Sequence, residues 1–261
     1  MTAVIKPGRT DDDRFDRTKR IGWINLDRVK ASNCLVVGAG ALGNEVVKNL
    51  VLSGVQSITV VDMDFVVRSN LNRCIFFRDD DATVKRAKAI VIAERARELN
   101  PYVVIDPIVM KLEDMNLEFL DNFAVVFGCL DNISARLHLN AYAYREGVPY
   151  IDGGMDGTLG KVQVVISPHT PCLQCTMNLS HSRALNVRYS CTGSEVSVYI
   201  PKTAAEITTT SIIGAIQVRE GLKILSGKTK DCITNVFYYD GLRNRYEMLE
   251  VSRDPSCPVH I

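Results

Sequence analysis

Short runs of β-branched and aliphatic residues recur along the chain, separated by stretches of helical period. Cys34-Leu35-Val36-Val37 enters a glycine-rich turn, Gly38-Ala39-Gly40-Ala41-Leu42-Gly43, then a helical stretch; Ile58-Thr59-Val60-Val61 ends at Asp62-Met63-Asp64. Unbroken apolar runs of this length, bounded by turn residues, predict strands buried on both faces, as in parallel sheets. From Asp81 to Asn100, residues Val84, Ala87, Ile90-Val91, Ala96 and Leu99 keep a rough 3.6 period and predict one helix, stopped by Asn100-Pro101. Tyr102-Val103-Val104-Ile105 and Ala124-Val125-Val126-Phe127 predict two more buried parallel strands, the second opening into Gly128-Cys129-Leu130-Asp131-Asn132. A helix from Ile133 to Arg145 follows, then a strand Pro149 to Asp152, then Gly153-Gly154, then a strand Lys161 to Ser167.

The flanks are less regular. Residues 1 to 13 show no period and predict an N-terminal arm. From Arg14 to Ala31, the spacing of Ile21, Trp23-Ile24, Leu26 and Val29 predicts a short helical lead-in packed on the core. Residues 168 to 205 carry Pro168, Pro171, Gly193 and Pro201, and a segment that long without periodicity usually carries function. A helix resumes from about Ala204 to Leu225, and Thr234 to Tyr239 and Arg245 to Val251 predict a hairpin across Asp240-Gly241. The expectation is an α/β fold with a Rossmann-like, mostly parallel sheet flanked by helices, a C-terminal β-hairpin, and one domain over 14–261.

Composition narrows the function classes. The chain has 261 residues, 46% hydrophobic and 23% charged, with a formal net charge of +1, so no general basic field points to nucleic acid or an anionic membrane. No stretch approaches the roughly 18 apolar residues of a membrane span, and the acidic run Asp11-Asp12-Asp13 is no signal peptide, so a cytoplasmic protein is expected. Eight cysteines in such a chain point to metal ligands, a reactive thiol and core fillers rather than disulfides.

Three constellations carry chemistry. In the first, Gly38, Gly40, Ala41 and Gly43 let backbone N–H groups approach phosphate at a helix N-terminus, and Asp62 at the end of the second strand suits ribose hydroxyls. A nicotinamide dehydrogenase shares those features. It has no use, however, for Ser69-Asn70-Leu71-Asn72-Arg73 and Lys88, whose amides and cations suit an enzyme that works on the phosphates themselves. Asp131 follows a strand and falls on the same edge as Gly40 and Asp62; with Asp62 and Asp64 it offers carboxylates for Mg²⁺ or ribose. Taken one at a time, each of these charges reads more readily as an ordinary surface ion pair; together at one edge they point to the nucleotide. The second constellation, Cys172-Leu173-Gln174-Cys175 with Cys257-Pro258-Val259-His260, has the composition of a closed tetrahedral Zn²⁺ site that would staple the C-terminus to the irregular loop; the alternative is free cysteines and an exposed tail histidine. The third is Cys191, in the polar loop Tyr189-Ser190-Cys191-Thr192-Gly193, a thiol that needs a neighbouring cation or helix N-terminus to act as a nucleophile. Cys34 and Cys129 fall in apolar strands and read as core, and Cys74 and Cys232 are left open.

Gly38-Ala39-Gly40-Ala41-Leu42-Gly43, Asp62-Met63-Asp64, Ser69-Asn70-Leu71-Asn72-Arg73, Lys88 and Cys129-Leu130-Asp131-Asn132 together resemble the ThiF superfamily, the ubiquitin-like-activating enzymes and their bacterial adenylyltransferase relatives, from about Arg14 to the end. The resemblance implies that the C-terminal carboxylate of a ubiquitin-like or sulfur-carrier protein ending in Gly-Gly attacks the α-phosphate of ATP·Mg²⁺. It implies that Asp62 binds ribose, that Asn70, Arg73 and Lys88 hold the phosphates, and that Asp131 binds Mg²⁺. Arg17, in Arg14-Phe15-Asp16-Arg17, matches an arginine that reaches into the partner subunit's site, which implies a homodimer. Asp152-Gly153-Gly154-Met155-Asp156-Gly157 and the pair Cys191-Thr192 look more like the eukaryotic-type enzymes, in which a Cys-Thr pair in the crossover loop carries a thioester. The paired zinc knuckles are also a family feature.

The sequence departs from the family pattern at Ala41, where glycine is common, at Cys74, where glutamine is usual, and at His260, where cysteine is usual. Backbone N–H groups survive an alanine, so nucleotide binding is little affected. After the hairpin no ubiquitin-fold domain follows, so thioester transfer to a conjugating enzyme would need another docking surface. The leading expectation is adenylation of a ubiquitin-like protein followed by thioester formation on Cys191. The alternatives are a sulfur-carrier adenylyltransferase that uses a sulfur donor, and a non-catalytic nucleotide-binding subunit.

Overall fold

The apolar runs form strands where the pattern placed them. β1 (Asn33–Val37), β2 (Ser57–Val61), β3 (Val104–Ile108), β4 (Val125–Gly128) and β5 (Tyr150–Asp156) are parallel. β6 (Leu159–Val165), β7 (Val236–Asp240) and β8 (Arg245–Leu249) continue the sheet in antiparallel sense. The order β3-β2-β1-β4-β5-β6-β7-β8 makes β1 the switch point, since the chain winds outward from it in both directions. At such a point the carboxyl ends of two neighbouring strands open a crevice for ligand. The computed structural model describes residues 13–176 and 204–260; Cys191 lies outside them.

The helices are α1 (Asp16–Lys19), α2 (Leu26–Ala31), α3 (Ala41–Ser53), α4 (Asp79–Thr83), α5 (Lys88–Leu99), α6 (Ile133–Arg145) and α7 (Ile207–Leu225). α3, α5 and α7 cover one face of the sheet around Val36, Val60, Ile105 and Phe127, and α6 covers the other around Leu35, Val126 and Tyr150. α3 buries Leu42, Val46, Val47, Leu50 and Val51, each contributing about 1.5–3 kcal/mol over exposure. Its close approach to α7 depends on Gly214, where a Cβ would lie 2.7 Å from the Glu45 Cβ. No helix among the described residues is long and apolar enough to cross a membrane.

Four expectations need correction. The helix expected over Asp81 to Asn100 is two, α4 and α5, because Lys85 adopts φ +52° and Ala87 is drawn into an antiparallel bridge with Phe65; Val84, read as a core position, is 68% exposed. The strand expected at 102–105 begins two residues later and is a half-exposed sheet edge, since Asn100 Oδ1 accepts from Tyr102 N at 3.2 Å and holds a turn there. Gly153-Gly154 lies inside β5 rather than after it, and the chain turns at Gly157 (φ +58°). The lead-in is two short helices; Leu26 and Val29 are buried, while Ile21 and Trp23 remain partly exposed. The sulfurs of Cys34, Cys74, Cys129 and Cys232 are buried, and burial pushes the Cys34 thiol up to about 12.

Candidate active site

The glycine turn is built by close backbone approach. Gly38 sits at φ +100°, and its N–H donates to Val61 O at 2.8 Å; a Cβ there would meet the Cys129 carbonyl at the end of β4. Cys129 N donates in turn to Val37 O at 2.8 Å, so the ends of β1, β2 and β4 converge on one turn. Gly43 faces the Gly38 carbonyl, where a Cβ would sit 1.9 Å from the oxygen. Gly40 is different: among the described residues a Cβ there meets nothing within 4 Å, and no side chain caps the N-terminus of α3 that it begins. N–H groups that no side chain caps among the described residues, at the positive end of a 13-residue helix, suit an anion.

Asp62 completes this turn. Its Oδ2 accepts from Ala39 N at 2.6 Å and its Oδ1 from Asp64 N at 2.7 Å, and each oxygen keeps acceptor capacity. Burial pushes its carboxyl up, opposed by the Lys88 ammonium and those two N–H groups. Lys88 begins α5 and is nearly buried, and its Nζ forms an ion pair with Asp64 Oδ2 at 2.7 Å. The structure therefore brings Gly38, Ala39, Asp62, Asp64 and Lys88 into one connected cluster.

The SNLNR stretch folds on itself beside β2. Asn70 Oδ1 accepts from Val67 N at 3.0 Å, and the Arg73 guanidinium donates to Ser69 O and, at 3.0 Å, to Asn72 Oδ1. Asp131 is exposed just past β4, and Asn132 caps α6 by accepting from Ser134 N at 2.9 Å. Arg17 is exposed on α1, whose neighbour Phe15 packs on Gly54 at the carboxyl end of α3. That is one helix length from the glycine turn, about 20 Å at 1.5 Å per residue.

Several site-building residues were not legible as such. Asp81 is 1% exposed and accepts from Arg95, from Arg86 at 3.2 Å and from Arg78 N at 2.8 Å, tying the segment between Arg73 and Lys88 onto α5. On the other side of the crevice, fully buried Asp152 accepts from Arg136 Nε at 2.9 Å and Tyr150 O–H at 2.9 Å, and also pairs with Arg136 Nη2. Arg136 lies four residues after Asn132, on the turn of α6 next to the edge; that spacing was the available signal.

Cys172, Cys175, Cys257 and His260 meet, with all four ligand atoms within 4.8 Å of one another. Sulfur separations of 3.8 Å (Cys172–Cys175) and 3.7 Å (Cys172–Cys257) match the roughly 3.8 Å edge of a tetrahedron with 2.3 Å Zn–S bonds. The donor set therefore fits Zn²⁺. Asp254 N donates to Cys175 Sγ at 3.4 Å, and the Tyr144 ring stacks on His260 at 4.7 Å. Asn140 Oδ1 accepts from Leu173 N at 2.9 Å, while its buried Nδ2 finds no acceptor among the described residues.

A switch-point crevice with an uncapped helix N-terminus, beside Asp62, Asp64 and a nearly buried Lys88, has the layout of a nucleotide-binding protein of the α/β class. The chain belongs to the ThiF family, which it matches over residues 15–259, and the family's activity is adenylyl transfer. It is 31% identical over 256 residues to the sulfur carrier protein adenylyltransferase of Thermus thermophilus, covering 95% of this chain and 90% of that one. It is 37% identical over 157 residues to the SUMO-activating enzyme subunit 2 of Dictyostelium discoideum, covering 59% of this chain but only 23% of that protein. The fold is shared with Escherichia coli MccB crystallised with succinimide, at TM-score 0.78 and 19% identity, covering 97% of this chain and 75% of MccB.

Proposed function

We propose that the protein adenylates the C-terminal glycine carboxylate of a small carrier protein ending in Gly-Gly. A carboxylate oxygen attacks the α-phosphorus of ATP; the new O–P bond forms as the bond to pyrophosphate breaks, giving an acyl-adenylate. The observation that carries this reading is the connected cluster of Asp62, Asp64 and Lys88 beside the open N-terminus of α3. In this reading Gly40, Ala41 and Gly43 offer N–H groups to the phosphates, Gly38, whose own N–H is bonded to Val61 O, shapes the turn that brings them there, and Asp62 holds the ribose. Asn70, Asn72 and Arg73, with Ser69 and Asn132 framing the turns, line the phosphate side. Lys88, kept in place by Asp64, stabilises charge developing on the phosphates. Asp131 would hold Mg²⁺, which neutralises charge on the triphosphate.

Arg17 lies far from its own crevice, which favours the reading in which it serves the site of a second copy in a homodimer. Cys172, Cys175, Cys257 and His260 would hold Zn²⁺ as a structural staple. The Thermus relative, matched nearly end to end, favours a sulfur-carrier protein as substrate, with the adenylate passed to a sulfur donor. The Cys191-Thr192 pair favours the second reading, a ubiquitin-like substrate captured as a thioester on Cys191. Carrier-dependent ATP–pyrophosphate exchange tests the adenylation step, and its absence would refute the proposal. A DTT-labile carrier adduct on a non-reducing gel, lost in Cys191→Ala, selects the thioester reading; a thiocarboxylate formed with no such adduct selects the sulfur-carrier one.

A further inference from the structure

Lys161 sits in the middle of β6, where a lysine has no evident structural task. The antiparallel register pairs it with Gly154 of β5 and Tyr238 of β7, so these three share one face. That face is the one under α6: a Cβ on Gly154 would lie 2.8 Å from an Arg136 guanidinium nitrogen, whereas Gly153 faces Gln217 on α7. Asp152 is the nearest anion, and it is already engaged by Arg136 and by Tyr150 O–H. Lys161 makes no hydrogen bond or ion pair among the described residues, and burial beside Arg136 pulls its ammonium below the usual lysine range. Two cations therefore face one carboxylate.

Their position follows from the register. Gly128 at the end of β4 aligns with Asp152, so Gly154 and Lys161 lie two residues further in the carboxyl direction, about 7 Å beyond the end of β4. β6 lies two strands from β4, about 10 Å across the sheet. Asp131, Arg136 over Gly154, and Lys161 thus form a line leading away from the nucleotide edge, floored by glycine. An extended chain whose terminal carboxylate lies at the nucleotide would cover that distance in roughly three to five residues at 3.3 Å each.

We propose that Lys161 is a specificity-determining residue that pairs with an acidic side chain three to five residues ahead of the C-terminus of the protein being adenylated. This rests on the adenylation reading above. The probe is a recombinant sulfur-carrier protein ending in Gly-Gly, made in two forms with Glu or Lys at the fourth position from its C-terminus, assayed by ATP–pyrophosphate exchange. The unaltered enzyme is expected to show a KM about tenfold lower for the Glu form. Lys161→Glu is expected to reverse the preference and Lys161→Met to abolish it, with the KM for ATP held within about twofold because the charge contacts only the carrier. Lys161→Met keeps the test available where the charge reversal fails to fold. The same preference in both variants and the unaltered enzyme, or a change confined to the KM for ATP, would overturn the inference alone. No exchange by the unaltered enzyme with either carrier would overturn the adenylation reading and this inference with it.

Discussion

Two glycines of the turn from Gly38 to Gly43 are expected to separate a folding requirement from a binding requirement. In Gly43→Ala the new Cβ would lie 1.9 Å from the Gly38 oxygen and 2.9 Å from its carbonyl carbon. Reaching an ordinary separation of about 3.4 Å needs a shift near 1.5 Å between α3 and a turn held by Gly38 N to Val61 O and Ala39 N to Asp62 Oδ2. Overpacking against flexible side chains costs about 1–3 kcal/mol, and here the obstacle is backbone, so a loss of at least about 3 kcal/mol is expected. In Gly40→Ala the Cβ meets nothing within 4 Å, φ is −74°, and only the weaker N-cap preference of alanine is lost, about 1 kcal/mol. The methyl group instead enters the space above the α3 N–H groups, and ATP affinity should fall at least about tenfold. Urea denaturation and calorimetric ATP titration of both variants make the check. A Gly43→Ala protein as stable as the parent, or a Gly40→Ala protein with undiminished ATP affinity, would refute this division of roles.

Lys88→Met should lower pyrophosphate exchange by about 10²-fold or more, as for loss of an electrostatic stabiliser, with Asp64→Asn milder because it only frees the ammonium; single-turnover exchange rates decide. Asp81→Asn should cost about 3 kcal/mol by taking the carboxylate away from Arg95 and leaving Arg86 to Glu94, read by urea denaturation. Burial alone would raise the Asp81 carboxyl, but the hydrogen bonds from Arg95, Arg78 N and Arg86 hold it below the usual range. Its folded pKa is depressed, so its contribution is complete above about pH 4 and falls away below that; the parent should lose more stability than Asp81→Asn between pH 4 and 3. Chelation of metal by a strong zinc ligand should lower the unfolding temperature and release one equivalent of Zn²⁺. Asn140→Leu should speed that release at least about fivefold by removing the side chain that accepts from Leu173 N beside Cys172, scored by a colorimetric zinc indicator.

Much of the site was legible because its chemistry is local in sequence. The turn from Gly38 to Gly43, Asp62, and the spacing to Arg73 and Lys88 lie on consecutive elements of one unit, and backbone sterics leave few ways to join them. The apolar runs likewise placed β1, β2 and β4, since a strand buried on both faces is made largely of apolar residues. What escaped depended on contacts across the fold. The break between α4 and α5 comes from the pull of Phe65 on Ala87 and from Asp81 gathering two arginines, neither of which a 3.6 period records. Gly153-Gly154 is the same kind of case: the glycines read as punctuation until Gln217 and Arg136 are seen to occupy the space of their missing Cβ atoms.

The sequence by itself determined an α/β unit of nucleotide-binding type, its candidate phosphate-side residues and four candidate metal ligands, because residue type and short spacing suffice for these. Only the tertiary structure decided that Cys172 and Cys175 meet Cys257 and His260 some 85 residues away in the chain. The same is true of Asp64 holding Lys88 in place, and of Arg136 and Lys161 both facing Asp152. Those are matters of which faces and strand ends come together, and strand register and helix packing fix them over distances that local spacing does not encode.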